Sequence, residues 1–195
     1  MDKPEETPQQ KIVLAAIDCV EKSGIEGATI RNIASRAGVN SAAINYYFRS
    51  KEKLLEEVMR ATAEHSLSDL ESLVKAGGDD PVELLTKALN YILEGAVRFP
   101  NLTKAHLYEA LTHGSYKGPF FSRFNELLSG LAARIRDPKK ADDPETVALK
   151  LIEAVSGVVF AALLPKMYKR FAGLDFAEPE ARKAYLAIVV RQFFA

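Results

Sequence analysis

The chain has 195 residues, 48% of them apolar and 27% charged, with 26 cations against 26 carboxylates and one cysteine. Such a chain can bury a core, and its composition excludes disordered, collagen-like and disulfide-framed classes. Zero net charge gives no global attraction to nucleic acid or anionic lipid, so affinity for DNA must come from a local patch.

The opening MDKPEETPQQ is polar and lacks the apolar core of a signal peptide, and residues 1–9 are expected to form a tail. Lys11 to Ser23 reads as an amphipathic helix with Ile12, Ala16, Cys19 and Val20 on one side, ended by Gly24. Cys19 on that side is expected to be a buried structural thiol, and the lack of a second cysteine fits a reducing cytoplasm. Thr29 is an expected N-cap, followed by Ile30, Ile33, Ala34 and Ala37 at helical spacing. Gly38 suits the left-handed turn that ends a helix, Val39 is an apolar plug, and Asn40 caps a second helix from Ser41 to about Phe48. A helix, a glycine-bearing turn and a second helix form a helix-turn-helix.

The side chains of this stretch point to its partner. Between Ala28 and Lys51 lie Arg31, Arg36, Arg49 and Lys51 and no carboxylate. Ala42 and Ala43 keep the second helix thin, so it can seat in a major groove. There Asn40, Ser41, Asn45, Tyr46 and Tyr47 offer hydrogen bonds to bases or phosphates. With Ser50 capping the next helix, Lys51 sits in a first turn where a cation costs ~0.3–1 kcal/mol against the dipole. A phosphate bound there reverses that cost.

Lys51 to about Lys75 reads as a long helix with Leu54, Leu55, Val58 and Met59 as its stripe, and Ala76–Pro81 as a linker. Helices follow over Pro81–Phe99, Pro100–His113 and Phe120–Ile135, with loops at His113–Pro119 and Asp137–Pro144. Glu145–Phe171 reads as one helix, apolar nearly all round between Ala154 and Leu164, and Pro179–Ala195 as the last. No strand alternation or 20–50-residue repeat occurs. The apolar run Val155–Leu164 is too short to span a bilayer, so no membrane partner is expected. No P-loop, dinucleotide fingerprint, nucleophile elbow or His-Glu-x-x-His motif is present, so neither enzyme activity nor a cofactor is expected.

The middle helices mix aromatics with a few polar groups. Tyr91, Glu94, Arg98, His106, Glu109, His113, Tyr116 and Phe124 are the expected lining of a mostly apolar effector pocket. His106, Glu109 and His113 also share a helical face, and the alternative is a small helical-bundle metalloprotein or enzyme using it.

Gly24-Ile25-Glu26-Gly27 followed by TIRNIASRAGVNSAAINYYFRSKEKLLEEV closely resembles the DNA-binding domain of the TetR family of bacterial transcriptional repressors, over roughly residues 10–60. The resemblance implies an all-α homodimer. A three-helix helix-turn-helix domain would occupy residues 1–55 and a helical ligand-binding and dimerisation bundle residues 56–195. Carried over by position, Arg31, Ser41, Ala42, Ala43, Asn45, Tyr46, Tyr47 and Lys51 face DNA, and Thr29 and Asn40 complete the DNA-binding set. Asn45 departs from the family pattern, which often has tyrosine there. The resemblance also implies that the last two helices pair with their symmetry mates, through Val155, Val158, Ala162, Tyr185, Val189 and Phe193. The expected protein is thus a cytoplasmic transcriptional regulator. It would be a repressor released from a near-palindromic double-stranded operator by a small, largely apolar or aromatic effector.

Overall fold

The computed structural model describes residues 6–136 and 143–195, and among these it is all-α with no strand. The helices are α1 (Pro8–Gly27), α2 (Ile30–Ala37), α3 (Ser41–Phe48), α4 (Lys51–Ala76) and α5 (Pro81–Arg98). They continue with α6 (Pro100–His113), α7 (Pro119–Ile135), α8 (Pro144–Leu163), α9 (Pro165–Ala172) and α10 (Pro179–Phe193). Most of the loop expected over 137–144 lies outside the described residues. The chain forms two compact units, residues 1–65 with 101–115 and residues 66–100 with 116–195. The units divide within α4 at 65/66, and α6 belongs to the first unit.

In the first unit, α1 starts earlier than its apolar stripe suggests. Thr7 Oγ1 accepts from Gln10 N at 3.2 Å and Gln10 Oε1 accepts from Thr7 N at 2.8 Å, a capping box that draws residues 8–10 into the helix. Gly24, at φ 72° and ψ 175°, interrupts α1 where the sequence expects its end. Ile12, Ala16, Val20, Ile33, Ile44, Phe48, Leu54 and Val58 fill one core, which Leu102 and Ala105 of α6 complete. Two polar ties hold α6 there. Glu21 accepts from the backbone N–H groups of Asn101 (3.4 Å) and Leu102 (3.0 Å), and the Asn101 amide donates back to the Glu21 carbonyl at 2.8 Å. A carboxylate at a helix N-terminus satisfies orphan donors and complements the dipole. Deeper in α6, His106 Nε2 lies 3.0 Å from Thr62 Oγ1, whose hydroxyl donates to the Val58 carbonyl at 2.8 Å. With that proton committed, Nε2–H is the donor to Thr62. Burial pushes the His106 imidazole down to about 4.

The second unit is built around α5. Leu84, Leu85, Ala88, Leu89 and Leu93 are buried on it, and α7, α8 and α10 pack against it. Asp80 caps α5 through the backbone N–H of Val82 at 2.9 Å. The Gly77–Gly78 segment expected to act as a linker is clamped instead. Arg134 of α7 donates to the carbonyls of Val74, Gly77 (2.6 Å) and Gly78 (3.2 Å), capping the C-terminus of α4. A Cβ on Gly77 would meet Leu84 Cδ1 at 2.5 Å, so a larger residue there would displace the end of that buried side chain.

The helix expected over Glu145–Phe171 is two helices. Pro165 has no N–H for the ladder and pushes Leu164 out of helical space, to φ −121° and ψ 48°. Phe176, fully buried in the loop after α9, packs against Tyr168 and Tyr185 at ring separations of 5.8 and 5.2 Å. Arg182, buried on α10, donates to the carbonyls of Phe176 (2.9 Å) and Ala177 (3.0 Å) and lies 3.5 Å from the Glu94 carboxylate. These bonds tie the loop to α10 and α5.

Two readings of α8 change. It is 20 residues long and its most apolar 18-residue stretch has a mean hydropathy of 1.9, so by length and composition it could cross a membrane, unlike the run Val155–Leu164. One of its faces is core: Val155, Val158 and Ala162 are buried within their own chain, as is Phe193 of α10. Those four expected interface residues therefore have almost no surface left for a partner, while Tyr185 and Val189 are half-buried. The exposed apolar side chains of α8 are Leu149, Ile152 (56%) and Phe160 (50%), with Ile188 on α10.

His106 gives the first unit a pH dependence. Its folded pKa lies below the ordinary 6.5, so as pH falls the unfolded chain takes up a proton first. Stability should fall from about pH 6.5 and level off near pH 4, by ~3 kcal/mol in all. Glu57 and Asp175, held below ordinary carboxylate values chiefly by bonds from Arg60 and Lys169, lose stabilisation only at lower pH. Urea unfolding at pH 7.5 and 5.0 should therefore show a loss of ~2 kcal/mol that His106→Gln abolishes. Equal stability of the wild-type protein at the two pH values would contradict this account.

Candidate nucleic-acid interface

The helix-turn-helix forms through the caps read from the sequence. Thr29 Oγ1 accepts from Asn32 N at 3.2 Å, and Asn40 Oδ1 accepts from Ala43 N at 2.8 Å. Gly38 is left-handed at φ 68° and ψ 29°, and Val39 N donates to the Ala34 carbonyl at 3.0 Å, turning the chain sharply into α3. Ser50 Oγ accepts from Lys53 N at 3.2 Å and caps α4.

Ile44 and Phe48 anchor α3 in the core, and this sets what its other faces show. Ser41, Ala42, Asn45, Tyr46 and Tyr47 are exposed and Ala43 is half-buried. Tyr46 is 81% exposed, with its ring edge-on to Tyr47 at 5.2 Å. An exposed pair of tyrosines on a short helix has no use in the core, but it suits contact with a polar, partly apolar surface.

The four cations of this stretch fall into three situations. Arg31 and Arg49 are exposed, with no side-chain hydrogen bond or ion pair among the described residues. Arg36 pairs with Asp18 of α1, its Nε 2.6 Å from Oδ2, so its charge is used within the unit. Lys51 Nζ donates to the Ile25 carbonyl at 3.1 Å. An ammonium has three donors, so Lys51 keeps two for a phosphate while the carbonyl fixes its position. Thr29, Arg31 and Asn40 are exposed beside these groups in sequence.

The expected effector residues are divided between the two units. His106, Glu109 and His113 lie in the first unit, and Tyr91, Glu94, Arg98, Tyr116 and Phe124 in the second. Several are committed internally. The Tyr91 phenol donates to the Ser66 carbonyl at 3.1 Å, and burial raises its pKa. Glu94 pairs with Arg182, Arg98 lies over the Phe99 ring at 5.3 Å, and Phe124 stacks on Phe120 at 5.4 Å. Glu109, His113 and Tyr116 are exposed. Among the described residues no three His, Cys, Asp or Glu side chains are grouped to hold a metal.

Two surface cavities are lined by other residues. One of about 370 Å³ in the first unit is bordered by Cys19, Lys22, Asn32 and Arg36. The Cys19 thiol is buried, and its pKa is raised by desolvation. A groove of about 630 Å³ in the second unit runs between Val82 and Thr86 of α5 and Lys183, Val190 and Arg191 of α10.

Residues 12–58 match the family model described as bacterial regulatory proteins, tetR family. The HTH-type transcriptional regulator BetI of Klebsiella pneumoniae (strain 342) is 40% identical over 52 residues, 27% of this chain and 27% of that protein. The matched stretch thus spans just over a quarter of that relative's length. Over nearly the whole chain the fold resembles a transcriptional regulator from Rhodococcus sp. RHA1, with a TM-score of 0.69, 24% identity and 96% of each chain covered. It also resembles FadR of Bacillus subtilis, solved with stearoyl-CoA, with a TM-score of 0.60, 19% identity and coverage of 92% and 96%. The stretch that contains α2 and α3 is therefore similar to bacterial regulatory proteins of the tetR family.

Proposed function

We propose that the protein is a DNA-binding transcriptional repressor. It binds a near-palindromic operator as a homodimer in the cytoplasm and is released by a small, largely apolar or aromatic effector. The observation that carries this reading is the exposed face of α3. It presents Ser41, Asn45 and the 81% exposed Tyr46, in a stretch from Ala28 to Lys51 that holds cations and no carboxylate. In a symmetric dimer two such helices meet successive major grooves, which requires a twofold-related site. The domain division follows the same reading, with residues 1–55 for DNA and residues 56–195 for effector binding and dimerisation.

Selection of duplexes from a random pool should yield a near-palindrome. Lys51→Ala should weaken binding to all sequences about equally and lower the log–log salt slope by roughly one per protomer. Arg31 and Tyr46 substitutions should alter preference at particular base pairs, each worth ~1–3 kcal/mol. Unchanged affinity and slope for Lys51→Ala would remove its phosphate contact.

The exposed stripe Leu149, Ile152 and Phe160 of α8, with Ile188 of α10, supports a partner subunit on that face. Ser156, small and exposed, lies between Ile152 and Phe160 and permits close approach of a second helix. Ile152→Glu with Ile188→Glu should give folded monomers by light scattering and circular dichroism. Val158→Glu, which buries an unpaired charge in the chain's own core, should unfold the protein. A double variant that stays dimeric would exclude this face.

The effector is placed among the helices between Pro81 and Phe171. Support comes from the aromatic content of that segment and from the amphipathic ligand carried by the similarly folded FadR. An effector that favours the released state by ~1–3 kcal/mol changes operator affinity about 5–150-fold. Apolar compounds that raise the melting temperature should weaken operator binding in titrations. If none that bind do so, the protein has no such switch.

A further inference from the structure

We propose that Arg49 is a further DNA-contacting residue. It rests on the DNA-binding reading above and places the guanidinium on a backbone phosphate where α3 leaves the groove.

Arg49 has φ 67° and ψ −34°, and among the described residues it is the one non-glycine with positive φ. The other positive-φ positions are Gly24, Gly38, Gly114 and Gly173. Arg49 is the middle residue of a three-residue turn closed by Ser50 N donating to the Phe48 carbonyl at 2.8 Å, and its own N–H donates to the Asn45 carbonyl at 3.0 Å. The positive-φ form of this turn is rare and strained, because a Cβ crowds the following carbonyl. Glycine would form it without strain. The fold makes no use of the arginine side chain in return: it is exposed, without a hydrogen bond or ion pair among the described residues. An unfavourable backbone under an unused side chain is a pattern found where the side chain serves binding.

Its surroundings define the ligand. Phe48 is buried on one side and Ser50 caps α4 on the other, so the Arg49 Cα is held from both directions. The eight residues of α3 make a helix about 12 Å long, close to the width of a major groove. With the first turn at the base edges, the last residues reach the groove wall, where phosphates lie. No carboxylate occurs from Ala28 to Lys51, and Glu52 is held by its own backbone N–H and by Ser50. A planar guanidinium there meets a phosphate with two parallel donors.

Arg49→Gly separates the two roles, because it removes the cation and relieves the backbone. It is compared with wild type, Lys51→Ala and Arg49→Lys on a duplex selected by the wild-type protein and on an unrelated duplex, over a salt series, with thermal unfolding of each. Arg49→Gly should bind both duplexes roughly tenfold more weakly, with the log–log salt slope shallower by about one per protomer. Its melting temperature should be unchanged or raised by up to about 4 °C. Arg49→Lys should keep the slope. Wild-type affinity and slope in Arg49→Gly, with Lys51→Ala weakened, would overturn the Arg49 contact and leave the DNA reading intact. A melting temperature that falls along with affinity would make Arg49 a structural residue and overturn it too. A wild-type protein that selects no duplex would end the DNA reading and the Arg49 contact together.

Discussion

The left-handed turn at Gly38 is the constraint on which the first unit depends. Helices of eight residues are too short to persist alone in water, so α2 and α3 exist only because the turn and the core hold them. Gly38 supplies the positive φ at no steric cost, and the Val39 bond to the Ala34 carbonyl closes the end of α2. Ile33 and Ala34 on one side of the turn and Ile44 and Phe48 on the other then enter one core. The angle between the helices is fixed by these anchors. What α3 shows to solvent is what remains, and that remainder is Ser41, Asn45, Tyr46 and Tyr47.

Signals that act within four residues of themselves could be read directly from the sequence. The caps at Thr29, Asn40 and Ser50, and the turns at Gly24 and Gly38, stand where the residue types put them. Two local signals were masked by stronger neighbours. The Thr7–Gln10 capping box lies in a stretch whose polarity reads as a tail, and the break at Pro165 lies in an apolar period that runs on past it. The long-range ties left no local trace. Nothing near Asn101 shows that Glu21 caps α6, and nothing near Gly77 shows that Arg134 clamps it. A glycine pair held by a distant guanidinium reads the same as a free linker.

The candidate sites differ in legibility for a related reason. A surface that binds DNA must keep polar groups outside, so periodicity alone separates Tyr46 and Asn45 from Ile44 and Phe48. A pocket and an internal tie make the same demand on sequence, a polar group among aromatics. Tyr91, Glu94 and His106 each make an internal tie, to the Ser66 carbonyl, Arg182 and Thr62. The same ambiguity applies to α8, where all-round apolarity requires two covers without saying which face meets which. Burial assigns Val155 and Val158 to the chain's own core and leaves Ile152 and Phe160 outside.

The chain crosses between the units at 65/66, 100/101 and 115/116. The first crossing lies inside the unbroken helix α4, and the third follows the loop at Gly114, whose φ of 62° marks a change of direction. At the second, Pro100 opens α6 directly after Phe99 ends α5, and Glu21 binds the first turn of α6 two residues further on. Within the first unit α6 is thus tied to α1 by its own N-terminus. Since α1 packs directly on α2, the same helix that caps α6 also supports the one whose turn at Gly38 aims α3.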